Sequence, residues 1–405
     1  MARGALEGLR VVEFGGRPGA AYAGKLLADL GADVIKVEPL EGDPARRHGP
    51  FPGDRPDPEA SGLFLFANAN KRSVAVDGAR PAGRAIVLDL VERADALVAG
   101  GMPAELEAAG LRWADLEARN PRLVAAVVTP YGLTGPYRDR PAHDINVAAA
   151  GGVSLGIGAP DREPLKLPYD QTGFQAGLVA AFAVLASVLG RTRTGRGRLN
   201  DISEAEVWAT IHTGPGVVAW LFSGRLRRRS GHRLLGLPWP HTVLPCRDGY
   251  FALQASERRH WEAFVEMIGS PEWTRDPKYR DRVRANEEHG DELDAHLAPW
   301  LAARTRAEIF ELTRRYRIAG APLLAMDEVV GHEHLAARGF WAEVSHPRAG
   351  RLRYPGAPYR LGRTPWSLRR AAPLLGEHTR EVLREVLDVD DARWDALAAD
   401  GVVRP

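Results

Sequence analysis

The stretch LRVVEFGGRPGAAYAGKLLADLGADVIKVEP, Leu9 to Pro39, constrains the fold more than any other part of the chain. It spells an apolar β-branched run, a glycine-rich turn, a helix-like run and a second apolar run that ends in an acid. Two strands joined through a helix pair in parallel, because a parallel pair needs a long crossover and that crossover is right-handed. The alternation continues through RSVAVD, the helix-like GRAIVLDLVERA, DALVAG and RLVAAVVTPYG. Repeated strand–helix alternation predicts an α/β fold around a parallel sheet. At 405 residues the chain exceeds what one compact core usually serves, so a second domain is expected.

The glycine turn raises the question of a bound nucleotide. A dinucleotide fingerprint reads Gly-x-Gly-x-x-Gly, with an acid near the end of the second strand to grip a ribose. Gly16 and Gly19 carry the spacing of its last two glycines and Glu38 holds the acidic position, but Phe14 stands where the first glycine belongs. The match is partial and counts against an NAD enzyme. The physics is broader than NAD: the start of a helix offers unpaired N–H groups to any anion. A tight turn that only packs helix on sheet is the competing reading.

Composition narrows the classes. With 54 basic against 52 acidic side chains there is no basic excess of the kind a nucleic-acid binder carries. One cysteine, Cys246, excludes an internal disulfide framework and fits a reducing cytoplasm. MARGALEGLRVVEF has no signal-like apolar core. The longest apolar run, GLVAAFAVLASVLG from Gly177, spans about 14 residues against the roughly 20 a bilayer needs, so a buried helix and no membrane partner are expected.

The basic run RLRRRSGHR, Arg225 to Arg233, marks a boundary. Beyond it HTVLPCRDGYFALQAS reads as a hairpin and ERRHWEAFVEMIG as an amphipathic helix, and from about Met326 short strands and prolines lead to a closing helix, GEHTREVLREVL. His332 and His334 form a His-x-His pair without further ligands at zinc-like spacing, so no metal site is expected. RLRRR lacks interleaved aromatics and reads as a solvated face. Nothing in the sequence around Cys246 activates its thiol.

The segments LEGLRVVEFGGRPGAAYAGKLLADLGADVIKVEPLEGDPARRHGPF, NKRSVAVD, NPRLVAAVVTPYGLTGPY, TGRGRLNDISEAEVW, HEHLAARGFWAEVSHPRAG and LLGEHTREVL, in that order, resemble the family III coenzyme A transferases. This is the CaiB/BaiF family, which includes formyl-CoA transferase and, as relatives, the α-methylacyl-CoA racemases. The resemblance implies that the phosphate carrier is coenzyme A, met as an acyl-CoA substrate. It further implies a large Rossmann-like domain over 1–224, a smaller α+β domain over 225–325, a segment over 326–405 that completes the large domain, and an interlocked homodimer.

By the same resemblance Asp170, in PLKLPYDQTGFQAG, carries the chemistry. A carboxylate at the head of an apolar helix is stabilised as an anion; position alone favours an ordinary N-cap aspartate, and it is the resemblance that favours the catalytic role. In a transferase Asp170 attacks the thioester, and donors for the resulting oxyanion would come from Gly151-Gly152, Gly156, Gly158 or the Gly231–Gly236 turn. PAHDINV resembles the His-Asp pair of the racemase branch, in which His143 and Asp170 would be opposing bases and Glu257, in FALQASERRHW, a supporting acid. Trp261 agrees better with the transferases. For coenzyme A the resemblance implicates the Gly16-Arg17-x-Gly19 turn together with Arg46, Arg47, Lys71 and Arg72, where arginine forks suit phosphates. Pro39-Leu40 and AGGMPAELEAAG depart from the family pattern, which leaves a non-catalytic CoA-binding protein as a further alternative.

Overall fold

Every residue of Val124–Thr129 is buried. A parallel strand covered on both faces requires this, and the computed structural model, which describes residues 4–226 and 229–404, supplies both covers. The strands β1 (Arg10–Phe14), β2 (Asp33–Glu38), β3 (Arg72–Ala75), β4 (Ala96–Gly100), β5 (Val124–Thr129) and β6 (Arg198–Ser203) form one sheet in the order β3-β2-β1-β4-β5-β6. All pairings are parallel. The order reverses between β1 and β4, and in such sheets ligands bind outside the carboxyl ends of the strands at that reversal.

The linking helices are α1 (Pro18–Asp29), α2 (Gly62–Asn68), α3 (Pro81–Glu92), α4 (Pro103–Ala108), α5 (Trp113–Arg119), α6 (Asp144–Ala150), α7 (Gln171–Thr194), α8 (Glu204–Ile211) and α9 (Gly214–Ser223). Proline at the first position of α1 and α3 fits a site whose N–H has no helical partner. One face of the sheet packs Val11, Val98 and Val128 against Ala20 and Leu27 of α1 and Ala180 of α7. The other packs Val12, Leu97 and Val127 against Leu90 of α3, Leu116 of α5 and Leu383.

α7 runs for 24 residues, longer than its apolar run, because Gln171–Ala176 and Arg191–Thr194 also adopt helix before Gly195 ends it at φ +70°. By length and composition it suffices to cross a membrane. Here Ala176, Ala180 and Val184 are buried in the sandwich, and α1 meets it closely. A Cβ at Gly177 would stand 2.7 Å from the carbonyl oxygen of Gly19, and one at Gly173 would stand 2.6 Å from Pro18.

The described residues divide into two compact units, one made of 4–153, 166–225 and 337–404, the other of 154–165, 226 and 229–336. In the first, the hairpin β10–β11 (Trp341–His346, Gly350–Pro355) and the helix Thr379–Leu387 follow the return of the chain, and Val403 bridges to Val76. The helix expected to close the chain is followed by another, Asp391–Ala399, whose Trp394 and Leu397 join the core. In the second unit β7 (His241–Cys246), β8 (Gly249–Gln254) and β9 (Ala319–Pro322) form an antiparallel sheet. Phe251 and Leu253 pack on Phe264 of α10 (Arg258–Met267) and on Leu297 and Ile309. Arg227 and Arg228 of the basic run lie outside the described residues.

Candidate active site

The glycine turn follows from close approaches. Gly15 has φ +89°, and a Cβ there would lie 2.0 Å from the carbonyl oxygen of Gly100, across the sheet's reversal. Gly16 leaves room for Pro44, which a Cβ would approach to 2.8 Å, whereas Gly19 sits inside α1 against Val128 and α7. Gly19 therefore serves helix packing, and Gly15 and Gly16 shape the turn. Beside them a cavity of about 490 Å³ opens past the carboxyl ends of β1, β2 and β3, lined by Phe14, Gly16, Val37, Leu40, Asp77 and Ala79 among others. The wall following β3 was not singled out from sequence. Its only signal is that VDGA continues from a strand at the sheet's carboxyl edge.

Most of the basic residues expected to meet phosphate are committed elsewhere. Arg46 is 1% exposed. It donates to both oxygens of Glu38, at 2.7 and 2.9 Å, and to Glu59 and the Pro373 carbonyl. Glu38 also accepts from Ser73 Oγ and Asp43 N, which uses up its carboxylate and removes it as a ribose grip. Lys71, fully buried, meets Glu13 at 2.6 Å and donates to Asn68 Oδ1 and the Ala21 carbonyl. Arg72 pairs with Asp33 and Glu385. A buried charge is costly unless paired, so these three cations hold the sheet edge together and do not face the cavity's solvent. Arg47 is exposed. Arg17 forks onto Glu204, the first residue of α8, and donates to the Ala142 carbonyl at 3.3 Å.

Electrostatics in this edge follow burial first. Desolvation pushes Lys71 down to about 8 even though Glu13 opposes it, with Lys36 adding repulsion. Lys36 is also desolvated, yet Asp43 at 2.6 Å and Glu13 at 2.8 Å outweigh that and raise it. Asp43 is lowered: burial works against its charge and Lys36 overcomes it.

A different arrangement surrounds Asp170. The residue takes the N-cap position of α7, is partly buried, and makes no cap hydrogen bond. Among the described residues no hydrogen-bond or ion-pair partner meets its carboxylate. The Thr172 N–H, which an N-cap side chain would ordinarily take, donates at 3.1 Å to Asp144 Oδ1, on the first residue of α6. Asp144 Oδ2 meets Lys166 Nζ at 2.6 Å, and that ammonium donates to the carbonyls of Leu167 and Tyr169. Tyr169 has φ +61°, a left-handed conformation unusual for a bulky residue. Trp208 Nε1 donates to Thr172 Oγ1 at 2.8 Å. His143 precedes α6; its N–H donates to Asn146 Oδ1, and its exposed ring carries no partner among the described residues. The fold thus brings His143, Asp144 and the head of α7 to one end of the first unit. The linking role of Asp144 was not read from sequence.

Glu257 belongs to the second unit, exposed before α10 and paired with Arg259 at 2.9 Å. Trp261 packs on Phe264 and Trp239, in a core role. Of the glycines proposed as oxyanion donors, Gly151 packs on Trp208, which a Cβ would approach to 2.3 Å, and Gly231 N donates to the Gly158 carbonyl within the second unit. His332 Nδ1 accepts from His334 N, and no cluster of three or more metal-holding side chains occurs among the described residues. Burial raises the Cys246 thiol.

Comparison with known proteins places this geometry. The family model described as CoA-transferase family III matches residues 6–379. The chain is 36% identical over 388 residues to the succinyl-CoA:(R)-benzylsuccinate CoA-transferase subunit BbsE of Thauera aromatica, covering 93% of each chain. It is 31% identical to the succinyl-CoA–D-citramalate CoA-transferase of Chloroflexus aurantiacus over 98% of each. A CAIB/BAIF family protein from Brucella suis superposes with a TM-score of 0.84 at 26% identity, covering 95% of this chain and 100% of that one. The α/β sheet, its strand order and the order of motifs along nearly the whole chain agree with one conclusion: this protein belongs to CoA-transferase family III, a family of CoA-transferring enzymes.

Proposed function

We propose that this enzyme moves CoA between carboxylic acids with Asp170 as nucleophile. The observation that carries the reading is the unpartnered, partly buried Asp170 carboxylate at the head of α7. A carboxylate oxygen attacks the thioester carbonyl of the donor, and the tetrahedral oxyanion collapses by expelling CoA thiolate, leaving a mixed anhydride. The thiolate then attacks the aspartyl carbonyl, releasing the donor acid as its carboxylate and leaving a CoA thioester on Asp170. An acceptor carboxylate reverses both steps. Each backbone N–H aimed at the oxyanion contributes about 3 kcal/mol.

In this reading the cavity beside Gly16 takes the nucleotide end of CoA, with Arg47 as an exposed cation for its phosphates. The names of the relatives make succinyl-CoA the donor to try first. The working form in this reading is a cytoplasmic homodimer. Supporting the dimer, α9 exposes Trp220, Leu221 and Phe222, the last to 88%, and α7 exposes Phe182 to 71%; a second copy would cover them.

The test is hydroxylamine trapping and mass spectrometry of the wild type and Asp170→Ala with succinyl-CoA and a panel of free acids. An adduct on Asp170 and an inert variant support the reading; an active variant overturns it. The free imidazole of His143 favours a second reading, an α-methylacyl-CoA racemase with His143 and Asp170 as opposing bases. Deuterium entering the α-carbon of a single acyl-CoA in D2O, with no acceptor acid, would establish that reaction instead.

A further inference from the structure

A helix this long has a strong claim on the carboxylate at its head. Asp170 occupies the position from which a side chain bonds the N–H two residues on, and that N–H belongs to Thr172. In the structure the bond is already made by Asp144, from a different helix, at 3.1 Å. Asp144 is held in turn by Lys166 at 2.6 Å, and Lys166 ties down the carbonyls of Leu167 and Tyr169, the two residues flanking Pro168. Trp208 fixes the hydroxyl of the same Thr172. The left-handed Tyr169 immediately before Asp170 shows that this turn is held against its own preference.

We propose that Asp144 is a positioning residue that caps α7 in place of Asp170, with Lys166 as its anchor, so that the Asp170 carboxylate stays free for substrate. The proposal rests on the assignment of Asp170 as nucleophile. A carboxylate that accepts the Thr172 N–H spends lone-pair density there and is turned toward the helix axis; one relieved of that bond keeps both oxygens for the thioester carbonyl. The Asp144–Lys166 pair does this through geometry and touches no reacting atom.

Asp144→Ala vacates the Thr172 N–H and lets Asp170 swing onto it. The rate of adduct formation on Asp170 with succinyl-CoA, followed by mass spectrometry in single-turnover mixing, is expected to fall about 10- to 100-fold, the cost of a small misplacement of a reacting group. CoA affinity, measured by calorimetry, stays within about twofold because the substitution lies off the nucleotide cavity. Asp144→Asn keeps an oxygen for Thr172 and is expected to restore most of the rate, which a general loss of packing would not allow. Lys166→Met gives an intermediate loss that does not add to that of Asp144→Ala. Wild-type rates in folded Asp144→Ala overturn the proposal, as does an equal loss in Asp144→Asn with weakened CoA binding. If Asp144→Ala does not fold, Asp144→Asn against Lys166→Met decides: wild-type rate in Lys166→Met overturns it. An active Asp170→Ala removes the nucleophile assignment itself and is read separately.

Discussion

The β1–β3 edge of the sheet and the head of α7 are both rich in charge, and they treat it in opposite ways. At the edge, Glu13, Lys36, Glu38, Arg46 and Lys71 are buried and each meets an opposite charge. At the head of α7, the Asp170 carboxylate meets none among the described residues, while a neighbouring pair takes over the capping bond it would have made. The contrast separates charge that stabilises a fold from a carboxylate left without a partner, the group the proposed mechanism uses. Pairing satisfies a buried ion and also makes it inert.

Five substitutions, one of them read against pH, test that contrast, taken from the largest effect to the smallest. Asp170→Ala should cost at least about 10⁴-fold in turnover, on the scale of removing other enzymatic nucleophiles, with thermal unfolding little changed; a stability loss without an activity loss would make Asp170 a structural residue after all. Glu13→Gln leaves Lys71 without its carboxylate in a fully buried site, and should lower unfolding free energy by about 3–5 kcal/mol in a urea titration. Gly177→Val forces a side chain into the 2.7 Å approach to the Gly19 carbonyl and should cost about 1–3 kcal/mol by the same measurement.

Acid sensitivity should originate at the paired edge. The folded-state pKa of Asp43 lies below its ordinary value of 3.8, so the stability it contributes is present above that value and is lost as pH falls through the lowered one. Melting temperature followed downward from pH 5 should therefore decline, and Asp43→Asn should flatten the decline. Arg47→Ala, at an exposed cation, should weaken CoA binding only about two- to fivefold in calorimetry, consistent with the small worth of solvated charges.

The parallel sheet was legible because RVVEF, DVIKVE, ALVAG and VAAVVT carry their own pattern: an apolar run bounded by turn residues needs no partner to be recognised. The nucleophile candidate was legible through motif resemblance and through its place before an apolar helix. The partners of the basic side chains were not. Arg46, Lys71 and Arg72 look like free positive charge in one dimension, and only the folding of Glu38, Glu13 and Asp33 beside them shows that they are spent. Likewise the cap of α7 lies 28 residues away from the N–H it serves, beyond any local rule.

Sequence by itself determined the strand order's raw material, the crossover helices, the glycines where backbones nearly touch, and the family. Tertiary structure decided which charged groups remain available. The physical reason is that hydrophobic periodicity acts over one or two turns of chain and is written locally, whereas desolvation and ion pairing depend on which side chains the finished fold brings within 3 Å or so.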